Sequence, residues 1–311
     1  MASYTTSLTV PVGESIDRYI ADQPNLVVVP NMGNAGDSLI NYSMFSMLHK
    51  RSIPYSLIEA HQIETPDPQA TYLLMVNGGL HLGGDEMDRL VHRLSRHGAK
   101  MIFYSATIHD RDPMLSMLPD STVIIAREPV TFDYIRWRRP DLTAVLSEDA
   151  TMAIADGDAD YPDPPLPLLL EYRLRLSYNT IRFGFPLGFA FAPTLYRSQR
   201  NKARPFNALR LDNESSGRDQ IEPGNVDISM VCGGKQAAGH AEASAAMLLR
   251  IIKSKSIVRT DRLHVAISCC LMNVECWFSA NSYFKCEAIY KHSLARRFSN
   301  IKWMQPGSAA A

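Results

Sequence analysis

The sequence predicts an α/β protein made of two Rossmann-like lobes that face a cleft. Three observations carry that expectation. Short apolar runs of strand length, rich in β-branched residues, alternate with segments whose apolar residues recur at helical spacing. Polar turns carrying glycine or arginine close many of the runs. The 311 residues exceed the usual extent of one hydrophobic core, so two domains are the default. Strand, helix, strand at this cadence implies parallel crossovers and a doubly wound sheet.

Along the chain, Leu26–Val29 reads as a buried parallel strand. The turn Asn31-Met32-Gly33-Asn34-Ala35-Gly36-Asp37 follows it, and Ile40, Met44, Met47 and Leu48 then lie at helical spacing. Tyr55–Ile58 and Tyr72–Val76 read as further strands, and Met87, Leu90, Val91 and Leu94 mark one face of a second helix. Met101–Tyr104, Val123–Ala126 and Leu142–Leu146 read as strands, with a helix over Glu128–Trp137. These elements make an N-terminal lobe over residues 1–155.

Asp156–Pro167 is rich in Asp and Pro, which reads as a linker. Residues 168–204 mix leucines with Arg173, Arg175 and Arg182, then run Phe183-Gly184-Phe185-Pro186-Leu187-Gly188-Phe189-Ala190-Phe191. Two readings fit this stretch: a hairpin or helical cover on the core, or a basic aromatic patch resting on a membrane. Poor helical periodicity favours the cover. Residues 156–205 are therefore set apart as linker and irregular insert, facing the acceptor or a membrane. The cadence resumes with strands at Asn207–Leu211 and Val226–Cys232. A helix carrying Ser244, Leu248, Ile251 and Ile252 on one face follows. Ser256–Val258 is a strand, Thr260–Cys270 a loop into a helix, Glu275–Phe278 a strand and Tyr283–Phe298 a last helix. Residues 206–311 form the C-terminal lobe.

Composition bounds the function. Lys plus Arg equals Asp plus Glu at 32 each, so no global field draws nucleic acid or an acidic surface, and an anion site must be built locally. Met1–Asp22 lacks the basic start and apolar core of a signal peptide, and no run reaches the roughly 18 apolar residues of a membrane span. The five cysteines, Cys232, Cys269, Cys270, Cys276 and Cys286, are odd in number and contain no CxxC pair. They suit buried reduced thiols better than disulfides or zinc. The expectation is a cytoplasmic protein.

Ligands of open α/β sheets bind beyond the carboxyl ends of the strands, and four loops hold suggestive residues there. Gly33-Asn34-Ala35-Gly36-Asp37 offers close backbone approach and the free N–H groups of a helix start. It is neither a Walker loop nor a dinucleotide fingerprint, and Asp37 reads equally well as the helix N-cap. Asn77-Gly78-Gly79-Leu80-His81 follows a strand and suggests a floor for a ligand, or a plain turn. Arg127, in Ala126-Arg127-Glu128-Pro129, suits bidentate contact with a phosphate or carboxylate. Arg259-Thr260-Asp261-Arg262-Leu263-His264 gathers charge at the mouth of a buried helix, where it is costly unless paired or used.

Asn34-Ala35-Gly36-Asp37, Asn77-Gly78-Gly79, Ala126-Arg127-Glu128-Pro129, Glu148-Asp149-Ala150 and Thr260-Asp261-Arg262-Leu263-His264 occur in the order of the polysaccharide pyruvyl transferase family. Ser279-Ala280-Asn281-Ser282-Tyr283-Phe284-Lys285 also resembles that family's serine, asparagine and lysine signature. The likeness spans about Asn25 to Trp303 and leans towards the exopolysaccharide branch. Val265 stands where the family often has glycine, and residues 168–204 match none of its motifs.

The resemblance implies a GT-B-like two-lobed fold with the active site in the cleft. It implies phosphoenolpyruvate as donor and co-substrate, with no cofactor and no metal, and a sugar hydroxyl pair as acceptor. The product is a cyclic pyruvate ketal on an exopolysaccharide or its lipid-linked oligosaccharide precursor, at the inner face of the membrane if lipid-linked. On this view His264 moves protons, helped by Asp261 and Arg262, with His81 in reserve. Asn34, Gly36, Asp37, Gly78, Gly79, Arg127, Ser282 and Lys285 bind the donor, and His81, Arg210 and Asp212 are further donor or acceptor contacts, though Arg210 and Asp212 read at least as well as a structural ion pair. Replacing Arg127 or Arg262 by Ala is then expected to harm donor use without unfolding the chain. Two other readings stay open: a GT-B nucleotide-sugar glycosyltransferase, and a non-catalytic glycan-binding component of a polysaccharide assembly complex.

Overall fold

The computed structural model describes residues 9–76, 85–182, 204–215, 224–235 and 237–305. The chain forms two compact units, Met1–Asn31 with Ser43–Asp160, and Met32–Tyr42 with Tyr161–Ala311. Both are α/β with parallel sheets.

The first unit holds a six-stranded sheet of β1 (Leu26–Val29), β2 (Ser56–Leu57), β3 (Thr71–Met75), β4 (Lys100–Ala106), β5 (Val123–Ala126) and β6 (Thr143–Leu146). The spatial order is β2-β1-β3-β4-β5-β6, all parallel. Every residue of β1 and of β3 is buried, which is why these strands read as unbroken apolar runs instead of alternating. Val27, Val29, Leu74 and Phe103 share one core cluster with Leu90 and Leu94 of the helix Asp85–Arg96 and Ile135 of the helix Pro129–Arg138. Progression along the sheet reverses at β1 and β3, so their carboxyl ends form the switch point where such sheets take ligands. The segment after β3, with Gly78, Gly79 and His81, lies outside the described residues.

The β4–β5 register shifts between Phe103 and Ala106. Ser105 sits there with φ +52°, a left-handed backbone that costs a non-glycine residue of order 1 kcal/mol. Its buried hydroxyl accepts the Ala150 N–H at 3.1 Å, which ties the end of β4 to the loop after β6.

The second unit holds a four-stranded sheet of β7 (Phe206–Asn207), β8 (Ile257–Thr260), β9 (Glu275–Ser279) and β10 (Ile301–Met304), in the order β10-β9-β8-β7, again all parallel. The helix Leu263–Leu271 buries every side chain but that of His264. All five cysteines are free and buried. The helix Lys285–Ile289 runs on through a π-helical turn, Tyr290–Leu294, into Ala295–Arg297. The first turns of the helix Ala35–Lys50, up to Tyr42, belong to this unit.

Two local expectations are corrected. Val226–Cys232 is not a strand: Ile228–Val231 is a short helix whose N-cap, Asp227, accepts the Met230 N–H. A capping aspartate outweighs the strand preference of Ile228 and Val231. Leu166–Arg182 is a 17-residue helix, although its apolar pattern lacks a clean helical period. The reason is that both faces are apolar. Leu169, Tyr172 and Leu176 are buried, while Leu166, Leu170, Leu174 and Tyr178 form an exposed stripe at i, i+4 spacing. Among the described residues no helix is long and apolar enough to cross a membrane.

Candidate functional site

The carboxyl ends of β7, β8 and β9 release three loops, and their charged residues converge. Arg210, after β7, grips Asp212 through Nε at 2.7 Å and Glu214 through Nη1 at 2.6 Å. Arg262, after β8, bonds Asp212 Oδ2 through Nη2 at 2.7 Å and also holds Asp227. Lys285, just past the loop after β9, meets Glu214 Oε2 at 3.1 Å and lies over the Tyr283 ring, 4.9 Å from its centre. The same glutamate oxygen accepts from Asn281 Nδ2 at 3.4 Å. Asp261 Oδ1 accepts the backbone N–H of Arg210 at 2.8 Å.

Three cations thus face four carboxylates, and all but Asp212 are largely buried. Removal from water is offset by ion pairing and hydrogen bonds, as buried charge requires. Burial opposes ionisation of Asp212, but the Arg210 hydrogen bond and the charges of Arg262 and Arg210 hold its carboxyl below the usual range. Glu214 is lowered for the same reason, with Lys285 and Arg210 outweighing burial. Asp261 goes the other way: burial raises it despite Arg210 and Arg262. Arg262 is tethered through Nη2, while its Nε–H, also buried, has no acceptor among the described residues. Asn281 Oδ1 is likewise buried and unanswered.

His264 opens the helix Leu263–Leu271 and is half-buried. It packs on the turn that begins the helix Ala35–Lys50. A Cβ added to Gly36 would lie 2.6 Å from His264 Nδ1 and 2.9 Å from its Cβ. The turn is fixed from within. Asn34 Oδ1 accepts the Gly36 N–H at 2.8 Å, and Asp37 Oδ2 accepts the Asn34 N–H at 2.8 Å. Asn34 is therefore the capping residue and Asp37 the acid that reaches back to it, a capping box with Asn and Asp in the two roles. Gly33 must lack a side chain, because a Cβ there would fall 1.9 Å from Asp37 Oδ2.

Gly36→Ala should lower turnover about tenfold or more. A helix normally gains about 0.5–1 kcal/mol from such a change, but here the methyl displaces His264 or breaks the Asn34 cap. Steady-state kinetics beside a thermal melt checks this; wild-type turnover with a higher melting temperature would remove Gly36 from the site.

Of the remaining expected residues, Ser282 is exposed, and its N–H donates to Glu214 O at 3.1 Å. Arg127 belongs to the first unit, at the carboxyl end of β5. Its guanidinium is fully buried, with Nη1 on Asp149 Oδ2 at 2.8 Å and Nε on Thr107 Oγ1 at 2.8 Å. Sequence reasoning passed over Asp227 and gave Glu214 no role of its own. Asp227 sits at the head of an apolar run that reads as a strand, and only the fold brings it to Arg262.

A family model for polysaccharide pyruvyl transferase matches residues 34–283. The chain belongs to the polysaccharide pyruvyl transferase family. That match spans the capping turn, Arg127 and the Asp261–His264 segment, and Lys285 lies just past its end. Family membership supports a transferase of the pyruvyl class. Among solved structures, the pyruvyltransferase chain is similar to a functionally uncharacterized protein of Klebsiella pneumoniae subsp. pneumoniae NTUH-K2044. The TM-score is 0.64 at 21% identity, over 92% of this chain and 94% of that one. At that identity the likeness speaks for the fold alone. The curated proteins contain no match.

Proposed function

We propose that this pyruvyltransferase draws pyruvate from phosphoenolpyruvate and closes it as a cyclic ketal on a sugar of a lipid-linked polysaccharide precursor. The observation that carries the reading is Arg262, a buried guanidinium held rigidly by two aspartates with its Nε–H unanswered. Such a donor is preorganised for one more anionic oxygen, and phosphoenolpyruvate brings a phosphate and a carboxylate.

Protonation of the enol methylene makes a cation-like carbon, which one sugar hydroxyl attacks after losing its proton. A second hydroxyl then displaces phosphate and closes the ketal. His264, half-buried and seated on Gly36, is the group assigned to these proton transfers. Asp261, whose carboxyl burial pushes up, orders the Arg210 backbone. Asp212 and Glu214 set the positions of Arg210, Arg262 and Lys285. Arg127, committed to Asp149 and Thr107, acts by holding the ends of its strands. A GT-B-like arrangement, no cofactor and a cytoplasmic setting at the inner face of the membrane belong to the same reading.

The exposed Leu166, Leu170, Leu174 and Tyr178 stripe, with exposed Arg173 beside it, supports a lipid-linked acceptor over a free one. The test is phosphate release from phosphoenolpyruvate with a panel of free and lipid-linked oligosaccharides. Release dependent on one lipid-linked acceptor, with a matching mass gain on the glycan, is expected. Release with free glycan alone would reassign the acceptor, and binding of a nucleotide sugar in place of phosphoenolpyruvate would overturn the reading.

A further inference from the structure

The network around Arg262 holds more negative charge than positive. Arg210, Arg262 and Lys285 stand against Asp212, Glu214, Asp227 and Asp261. Three of these carboxylates are ion-paired: Asp212 with both arginines, Glu214 with Arg210 and Lys285, and Asp227 with Arg262. Asp261 differs. It is only 4% exposed, and among the described residues its carboxylate pairs with no Arg or Lys side chain. Its Oδ1 instead accepts from a neutral donor, the Arg210 backbone N–H, at 2.8 Å. A proton on Oδ2 leaves that bond intact.

With all four carboxylates ionised, the network carries one negative charge in excess, in a place from which water is largely excluded. A ligand with a phosphate and a carboxylate brings at least two more, and buried like charges are screened little. One added proton makes the network neutral, and the surrounding groups leave Asp261 to take it. Despite burial, Arg210 and Arg262 hold Asp212, and Lys285 and Arg210 hold Glu214, below the usual carboxylate range. Asp227 accepts from Arg262 and from the backbone N–H groups of Leu211 and Met230. Cys286, whose Sγ donates to the Asp261 carbonyl at 3.5 Å, is pushed up to about 11 by burial and stays neutral. Burial also raises Asp261 itself, against the pull of Arg210 and Arg262. His264, three residues further along the chain, is the remaining competitor for the proton.

We infer that this site binds its polyanionic donor together with one proton from solvent, which Asp261 Oδ2 takes up. That the anion is phosphoenolpyruvate rests on the proposed function; the charge imbalance and the lone unpaired carboxylate do not. The sign follows from linkage. An arriving anion favours the neutral form of Asp261, so the carboxyl titrates at higher pH in the filled site than in the empty one. Between those two points affinity falls about tenfold for each pH unit gained. Below the lower point Asp261 is already neutral, and affinity no longer depends on it.

The test is calorimetric titration of the full chain with phosphoenolpyruvate in paired buffers of unlike ionisation enthalpy, whose difference in heat counts protons. A phosphate monoester itself titrates near about pH 6, so the runs span about pH 7 to about pH 9. Wild type and His264→Gln should take up close to one proton per ligand over part of this range, and Asp261→Asn none. Asn keeps an oxygen for the Arg210 N–H, so the melting temperature should stay near that of the wild type. Asp261→Asn should also bind more tightly than the wild type, by a margin that widens with pH to about tenfold or more. Loss of a merely structural aspartate gives no such gain. No net proton uptake by the wild type, uptake retained by Asp261→Asn, or uptake lost only in His264→Gln overturns the inference. Sulfate, a dianion that holds no proton in this range, is titrated in parallel. Sulfate binding with proton uptake, but no binding of phosphoenolpyruvate, removes the proposed function and keeps the inference. Failure of both anions to bind removes both.

Discussion

His264→Gln should lower turnover about 10²–10⁴-fold, the usual worth of a positioned acid–base group, with the KM for phosphoenolpyruvate and the melting temperature little changed. Gln preserves much of the length and hydrogen-bonding capacity of His but cannot exchange a proton near neutral pH. The side chain is half-buried on the first turn of its helix, so little core packing is lost. The split matters: a fall in kcat at constant KM marks a group that acts in the transition state. A rise in KM at constant kcat would make His264 a binding residue, and kcat within threefold of wild type would leave the proton transfers to another group.

Arg127→Met should destabilise the first unit by about 3–5 kcal/mol, the loss typical when one partner of a buried ion pair is removed. Asp149 would remain fully buried, still accepting from Thr151 but without the guanidinium that balances its charge. Thr107 would lose the guanidinium it accepts from. This replaces the expectation that an Arg127 variant spares the fold, which took the residue as an anion contact at a strand end. The double variant Arg127→Met with Asp149→Leu should recover much of the loss, because apolar pairs often match buried ion pairs in stability. Urea denaturation of the three proteins measures both quantities. A single variant as stable as wild type would show that Arg127 is spare in the fold and free to serve a ligand.

The first sheet was largely legible from sequence because its strands are buried on both faces and so appear as continuous apolar runs, as at Leu26–Val29 and Val123–Ala126. Ile301–Met304 was not read as a strand: Lys302 interrupts its short apolar run, and only pairing with β9 defines it. Asp37 was recognised as belonging to a helix start, but which residue caps and which reaches back depends on backbone geometry that a sequence does not display. The Asp261–His264 cluster stood out because charge at the mouth of an apolar helix is costly. Its partners Asp212 and Asp227 come from distant segments. Local spacing carries no trace of such pairings.

The assignment of Met32–Tyr42 to the second unit has a consequence for biogenesis. These eleven residues leave the ribosome well before the loop and helix they pack on, around Gly233 and His264, have been made. At ordinary elongation rates of about 5–20 residues per second, the capping turn waits on the order of ten seconds or longer for its neighbours. The nascent chain is therefore inert until His264 has emerged. A polypeptide cut at Asp160 and re-expressed as two pieces would divide this turn from the histidine it supports.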